Sequence, residues 1–385
     1  MPILNASTDP TTNHELRGLV AKFVADKITP VAAELDAEHA FPRELYQELG
    51  SLGLFGVTVP QLQGGLGGTS LDYFHVMEEL SYGYSAVADQ CGLVELLAGL
   101  LSRFGTESQR ETYMARLLRA EIFGAYCLTE AHAGSDLAAI KTRAVEQPDG
   151  TWRLSGEKIF INNAPIADFG TVLAVTDPSL GHKGLSIFLV DLASPGVTRA
   201  YHELKMGQRA SQVGGLIFDN VPLAPTALLG PRGGGFPIMM QILAKGRLGI
   251  AGLSLGIARR AIDEATIQAM NRTSFGKPIG TNQAISFRLA ECATSYRAAY
   301  LLSEDAGRRL DAADDATVAC SMAKLAASEC ALECADAAVQ VFGGAGFIQG
   351  YTVERLYRDA RITTIYEGTS EMQKLIISRS LLGKA

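Results

Sequence analysis

From about residue 13 to residue 122, apolar residues recur at helical spacing. Leu16, Leu19, Val20, Phe23 and Val24 form one such face, and Leu45, Leu49, Leu52 and Leu54 another. The pattern resumes with Tyr73, Val76, Met77 and Leu80, then runs through 88–103 and 108–120. The glycine-rich stretch between them, QLQGGLGGT at 61–69, has no Gly-Lys-Ser/Thr after it, so it reads as a loop and not as a phosphate cradle. Near Phe123 the period changes. Short β-patterned runs at 151–162, 171–176, 184–191 and 213–219 alternate with turns, and Pro-Asp-Gly at 148–150 and Ser-Pro-Gly at 194–196 mark connections. These predict a small β domain, a barrel or a sandwich. Beyond Gly235 the helical pattern returns in long stretches, 242–270, 286–310 and 316–342, with apolar faces broken by glycine but not by proline. Helices of that length pack as an antiparallel bundle. The expected order is an N-terminal helical domain (1–122), a middle β domain (123–231) and a C-terminal four-helix bundle (232–385).

Composition narrows this picture only a little. A chain of 385 residues has room for two or three domains, and 47% apolar with 19% charged residues is ordinary globular composition. The net charge of -7 argues against a nucleic-acid groove or a basic membrane-binding surface. Six cysteines (Cys91, Cys127, Cys292, Cys320, Cys330, Cys334) contain no Cys-x-x-Cys pair, and Cys330 and Cys334, one helical turn apart with no nearby histidine, read as buried thiols and not as a metal site. The first residues, MPILNASTDPTTNHELRG, show neither an apolar core nor the arginine richness of a targeting segment. No apolar run is expected to reach the roughly 20 residues of a membrane span. A reducing, cytoplasmic setting is the expectation.

The stretch from Arg358 to Ser378 is where chemistry concentrates. Ile365-Tyr366-Glu367-Gly368-Thr369 precedes an apolar helical pattern (Met372, Leu375, Ile376). Gly368 permits close approach to the backbone, Thr369 can cap the following helix, and Glu371 would lie in its first turn. A carboxylate among Ile365, Tyr366 and a glycine is partly desolvated, which raises its pKa and suits a general base near neutral pH. The plain alternative is an exposed Glu in a turn.

The wording YRDARITTIYEGTSEMQ resembles the signature of the acyl-CoA dehydrogenase family, in which the matching glutamate is the catalytic base. Further motifs resemble that family in order and spacing over nearly the whole chain. Tyr126-Cys127-Leu128-Thr129-Glu130, followed by Ala133-Gly134-Ser135-Asp136, is similar to its flavin-binding motif, with Ala131 and His132 in place of Pro-Gly. The resemblance implies that Tyr126, Leu128 and Thr129 meet the flavin and that Ser135 also faces the thioester chain; His132 reads as a surface residue. Glu157 to Ala164 is similar to the strand that covers the flavin, with Phe160, Ile161 and Asn162 against the ring. Phe160 replaces the usual Trp there and Asn162 the usual Thr, so the aromatic face and a donor are kept with different reach.

In the bundle, Arg272 and Phe275 (in NRTSFGK), Gln283, and Gln340, Gly343 and Gly344 (in QVFGGAGF) match segments that reach across a dimer interface to the partner's FAD. Alone, Arg272 would read as a surface residue, and the glycine cluster follows a helix and so is no dinucleotide-fold loop. Thr369 and Glu371 belong to the same cofactor set. Arg247 matches an arginine near the active centre, and Gly246 leaves Glu367 as the only carboxylate at a known base position.

The resemblance implies FAD as cofactor, a homotetramer, an acyl-CoA or acyl-carrier thioester as substrate and an electron-transfer flavoprotein as acceptor. Glu367 would take the α-proton while the flavin N5 receives the β-hydride, with Arg247, Tyr366 and Gly368 at the substrate. Enoyl-thioester reduction, oxidase chemistry or a non-catalytic scaffold are the alternatives on the same fold. Glu95, inside the apolar run Val94–Leu100, either faces water or an Arg, or recognises a polar or cationic group on a short acyl tail.

Overall fold

The structure, a computed structural model, describes residues 13–383. The leaderless reading of the N-terminus falls mostly outside them. The N-terminal part consists of α1 (His14–Phe23), α2 (Ala32–Glu38), α3 (Arg43–Ser51), α4 (Ser70–Gly83), α5 (Ser85–Phe104) and α6 (Glu107–Leu118). Local sequence sets where two of these begin. Thr69 and Asp72 at the start of α4, and Thr106 and Gln109 at the start of α6, exchange side-chain and backbone hydrogen bonds as capping boxes.

The β domain runs through β1 (Gly124–Cys127), β2 (Arg143–Glu146), β3 (Trp152–Asn162), β4 (Phe169–Val175), β5 (Leu185–Asp191), β6 (Val197–His202), β7 (Val213–Leu223) and β8 (Leu228–Leu229). They form one eight-stranded sheet in the order β6-β7-β3-β2-β4-β5-β8, with β1 paired in parallel to β4. Val172 and Phe188 from one side of the sheet and Leu216 and Phe218 from the other share a single core with Trp152, so the sheet curls around it. The β3–β7 pairing shifts register twice, between Leu154 and Gly156 and between Lys158 and Ile161, and in the second Phe160 takes a left-handed φ of 55°. That bulge turns Phe160 out of the alternation.

The C-terminal part contains α7 (Gly235–Asn271), a short hairpin β9 (Thr273–Ser274) and β10 (Lys277–Pro278), α8 (Gln283–Asp311), α9 (Thr317–Phe342), α10 (Thr352–Ala360) and α11 (Ser370–Leu382). Helix α7 is the central rod, packed against α9, α4, α8 and α5, so one core joins both helical parts. Here the sequence expectation needs correction. Ser85–Phe104 and Gly235–Asn271 are both long and apolar enough to cross a membrane. In the fold, 83% and 78% of their apolar windows are buried, which explains the composition: each is surrounded by protein on most sides.

Candidate active site

The turn between Thr364 and α11 is built from two consecutive left-handed residues, Glu367 (φ 51°) and Gly368 (φ 93°). For a glutamate this conformation is unfavourable by about 1 kcal/mol, so something must hold it. The Gly368 carbonyl accepts from Lys324 Nζ (2.9 Å) and from Gln373 Nε2 (2.8 Å), both side chains fully buried. Thr369 then accepts from the Met372 N–H (3.3 Å), the cap expected from the sequence, and Glu371 occupies the exposed first turn of α11.

So fixed, Glu367 enters a cavity of about 220 Å³ between α4, α5, α7 and the β domain. Tyr73, Leu93, Leu96 and Leu243 supply its apolar wall, and Tyr126, Leu128, Thr129, Phe160, Ile161, Asn162, Tyr366 and Gly368 complete it. Glu367 is partly exposed as a whole, yet its Oε2 is enclosed and has no hydrogen-bond partner among the described residues. Burial, with Asp89 adding to it, pushes the carboxyl up to about 7, while Lys324 and Arg247 pull the other way. A Cβ on Gly246 would lie 2.2 Å from Oε2, so the glycine is what makes room for this carboxylate. Arg247 is buried with Nε unpartnered among the described residues, and burial lowers its pKa against the pull of Cys320 and Glu367.

Asn162 lines this cavity, and its amide is engaged. Nδ2 donates to Asp89 Oδ2 (2.6 Å), and Ser211 Oγ lies 3.0 Å from both that oxygen and Asn162 Oδ1. The hydroxyl has one proton for the two acceptors, and one N–H of Asn162 remains free for a ligand. Phe160, 62% exposed, presents its ring beside Leu128 and Thr129. Behind them Lys158, fully buried, bridges Glu130 (2.9 Å) and the Leu128 carbonyl (2.8 Å) and so ties β3 to the loop that follows β1. His132 is on the surface side, 3.6 Å from Glu130. Cys330 and Cys334 are free and buried, with their sulfurs 3.7 Å apart.

Other expected residues are not brought to this cavity. Ser135 is exposed next to the lining residue Gly134. Arg272, Phe275, Gln283, Gln340, Gly343 and Gly344 are all exposed and lie at the ends of the bundle helices. Glu95 is buried and pairs with Lys245 (2.6 Å) and Thr58 where an Arg was expected. Sequence reading missed Lys324, Asp89, Ser211 and Tyr73. An isolated lysine within SMAKLAAS was the one available signal.

Three family models cover the chain: "Acyl-CoA dehydrogenase, N-terminal domain" at residues 10–121, "middle domain" at 125–221 and "C-terminal domain" at 233–382. The chain belongs to the acyl-CoA dehydrogenase family. It is 41% identical to the mitochondrial short-chain specific acyl-CoA dehydrogenase of Bos taurus, over 97% of this chain and 90% of that one. It is also 39% identical to a 3-(aryl)acrylate reductase of Clostridium sporogenes, over 97% and 99%. The structure of butyryl-CoA dehydrogenase from Megasphaera elsdenii superposes with a TM-score of 0.94 at 37% identity, covering 98% of this chain and all of that one.

As an acyl-CoA dehydrogenase the protein is an oxidoreductase whose cofactor is FAD. The residues present fit a flavin ring: an exposed aromatic (Phe160) beside a hydroxyl (Thr129) and a free amide N–H (Asn162), facing an apolar wall.

Proposed function

We propose that this acyl-CoA dehydrogenase removes two hydrogens from the α and β carbons of a short acyl-CoA thioester, giving the trans-2-enoyl thioester, with Glu367 as the α-proton base. The observation that carries the proposal is the Glu367 carboxyl itself: Oε2 enclosed and unpartnered at the cavity wall, with its pKa pushed up to about 7. A carboxylate left without donors in an apolar cavity is a stronger base than one in water, and it has nothing to release before it accepts a proton.

FAD, when bound, supplies the hydride acceptor. The chain's own residues do the rest. Tyr73, Leu93 and Leu96 exclude water around the carboxyl, and the left-handed turn at Glu367–Gly368 aims it. The Glu367 backbone N–H is proposed to polarise the thioester carbonyl, so that the developing enolate is stabilised where charge appears. Thr129, Phe160 and Asn162 would hold the flavin ring, and Arg272, Phe275, Gln283, Gln340, Gly343 and Gly344 the FAD of a partner subunit within a homotetramer. An electron-transfer flavoprotein is the proposed acceptor, and the cytoplasm the proposed setting.

Glu367→Gln tests the assignment, since the amide keeps the shape and cannot take the proton. The expected outcome is retained FAD and thioester binding with turnover lost by at least about 10³-fold, seen in kcat more than in KM. Flavin reduction in a single turnover as fast as in wild type would remove Glu367 as the base. A second reading has support from the similarity to the Clostridium sporogenes reductase: the same residues working toward reduction of an enoyl thioester. Rates measured in both directions with a common redox dye separate the two.

A further inference from the structure

A second cavity of about 250 Å³ adjoins the first. Tyr73 and Leu96 line both, and the two meet where Gly246 faces Glu367. The far wall of the second cavity is polar, although most of the surrounding helix faces are apolar. At its centre are Glu95 from α5, Lys245 from α7 and Thr58 from the loop after α3, and Ser102, Arg103 and Gln241 are the other polar residues of the lining.

The hydrogen bonds in this group are unevenly shared. Glu95 Oε1 accepts from Lys245 Nζ (2.6 Å), from the Thr58 N–H (3.2 Å) and from the Thr58 hydroxyl. Glu95 Oε2 accepts from nothing among the described residues, although Glu95 is only 2% exposed. Lys245 also donates to the Thr58 hydroxyl and lies 5.5 Å over the Tyr73 ring, with 18% of its side chain exposed. Three N–H groups on an ammonium, two of them used here, leave one to offer. The wall therefore lacks one donor, for Oε2, and one acceptor, for Lys245. A buried polar group left unmet is costly, and more so when charged.

That pattern discriminates among acyl tails. An alkyl end meets neither need. A cationic end would find the carboxylate already neutralised and would lie against Lys245, while an anionic end would lie against the unpartnered Glu95 Oε2, since the other cation of the lining, Arg103, is exposed and screened by solvent. A hydroxyl or a carboxamide both donates and accepts without adding charge. We propose that this second cavity takes the far end of the acyl group and selects a short acyl thioester ending in a hydroxyl or carboxamide. The proposal rests on the reading of Glu367 as the base of the adjoining cavity.

The experiment compares kcat/KM for four acyl-CoA thioesters of equal chain length, ending in methyl, hydroxyl, carboxylate and ammonium. The hydroxyl compound should exceed the methyl one by roughly tenfold or more, because an analogue lacking the hydrogen bond leaves buried polar groups of the site unpaired, and exceed both charged ones. Removing the pair together, Glu95→Leu with Lys245→Met, should abolish or invert the hydroxyl-to-methyl ratio without stranding a lone charge. The same ratio read as dissociation constants on Glu367→Gln protein gives a measure independent of turnover. A methyl compound equal to or better than the hydroxyl one in wild type overturns the proposal, as does a ratio unchanged in the double variant. If wild type turns over all four but Glu367→Gln does so equally well, the base assignment falls while the tail ratio still stands or falls on its own numbers.

Discussion

Lys324 brings a charge into a face of α9 made of alanine, cysteine and serine, and it is fully buried there. Its ammonium does two things at once: it holds the Gly368 carbonyl and lowers the pKa of Glu367. The other groups facing Glu367 are Asp89 on α5, Arg247 on α7 and the phenols Tyr73, Tyr126 and Tyr366. Lys324→Met should therefore raise the Glu367 pKa above its present value of about 7 and move the acid limb of the kcat/KM profile to higher pH. Lys324 is itself pushed down to about 8 by burial, so at pH 9 the wild type has lost the same charge and the two profiles should converge. Lys324→Arg should restore the wild-type limb if charge is what matters, and a Met variant with an unshifted profile would leave Lys324 a merely structural role.

Stability carries the same signature. The Glu367 carboxyl is raised from 4.5 to about 7 in the fold, so the folded state holds the proton more tightly. Its contribution to stability is complete below pH 4.5 and lost as pH rises through 7, by up to about 3 kcal/mol. Glu367→Gln should thus melt higher than wild type at pH 8 and equally at pH 4.5, in thermal scans of both proteins. Glu367 was legible because IYEGT is a local wording. Lys324, Asp89 and Ser211 were not, because each sits alone in its segment and meets the others only through packing of α5, α9 and β7's approach loop around one turn.

At the scale of elements, the glycines of α7 show what a pattern of apolar and polar positions can and cannot reveal. The sequence shows a helix broken by glycine without showing what each glycine is for. In the fold, Gly249 faces the Tyr73 hydroxyl, Gly252 the Phe74 carbonyl and Gly256 the Glu78 carbonyl, so α4 and α7 approach closely along one seam, backbone to backbone at Gly252 and Gly256. Gly246 continues the seam to the Glu367 carboxyl. The consequences of adding one methyl group differ along it. At Gly256 a Cβ would come within 2.4 Å of the Glu78 carbonyl, and backbone cannot swing aside, so Gly256→Ala should cost about 1–3 kcal/mol and lower the thermal midpoint. At Gly246 the atom struck is the end of the Glu367 side chain, which can move. Gly246→Ala should therefore melt near wild type yet lose activity by roughly 10-fold or more, since about 1 Å of misplacement at the reacting group is enough. Melting curves and kcat on the same two preparations decide it; a Gly246→Ala enzyme of normal rate would mean that Glu367 tolerates displacement. The β domain was readable as strands from its alternation, but the left-handed bulge at Phe160 was not, because no glycine or asparagine at that position announces it.

On the scale of the whole molecule, large apolar side chains project from the ends of the bundle. Phe275, at the tip of the β9–β10 hairpin, is 98% exposed, and Phe347, after the glycine cluster that ends α9, is 84% exposed. Large aromatic groups projecting from two neighbouring bundle ends, with Arg272, Gln283 and Gln340 also exposed beside them in sequence, make poor solvent-facing surface and good contact surface. None of these residues lines the Glu367 cavity. If they hold FAD, the FAD is one whose ring lies in another subunit, and cofactor retention and assembly become a single property. Arg272→Glu places a carboxylate where a cation is proposed to meet that FAD, and Phe275→Ser removes the aromatic group, while neither side chain is buried in its own chain. Both variants should fold and melt as single chains do, yet purify with a flavin-to-protein absorbance ratio below about half that of wild type. They should also sediment as smaller species than wild type at low micromolar concentration, and added FAD should shift them back toward the wild-type assembly. The coupling is the sharper part of the prediction. A variant that loses flavin but stays fully assembled would confine these residues to the cofactor; one that dissociates with flavin retained would show that each FAD is held within one chain, and the bundle ends would then be interface alone.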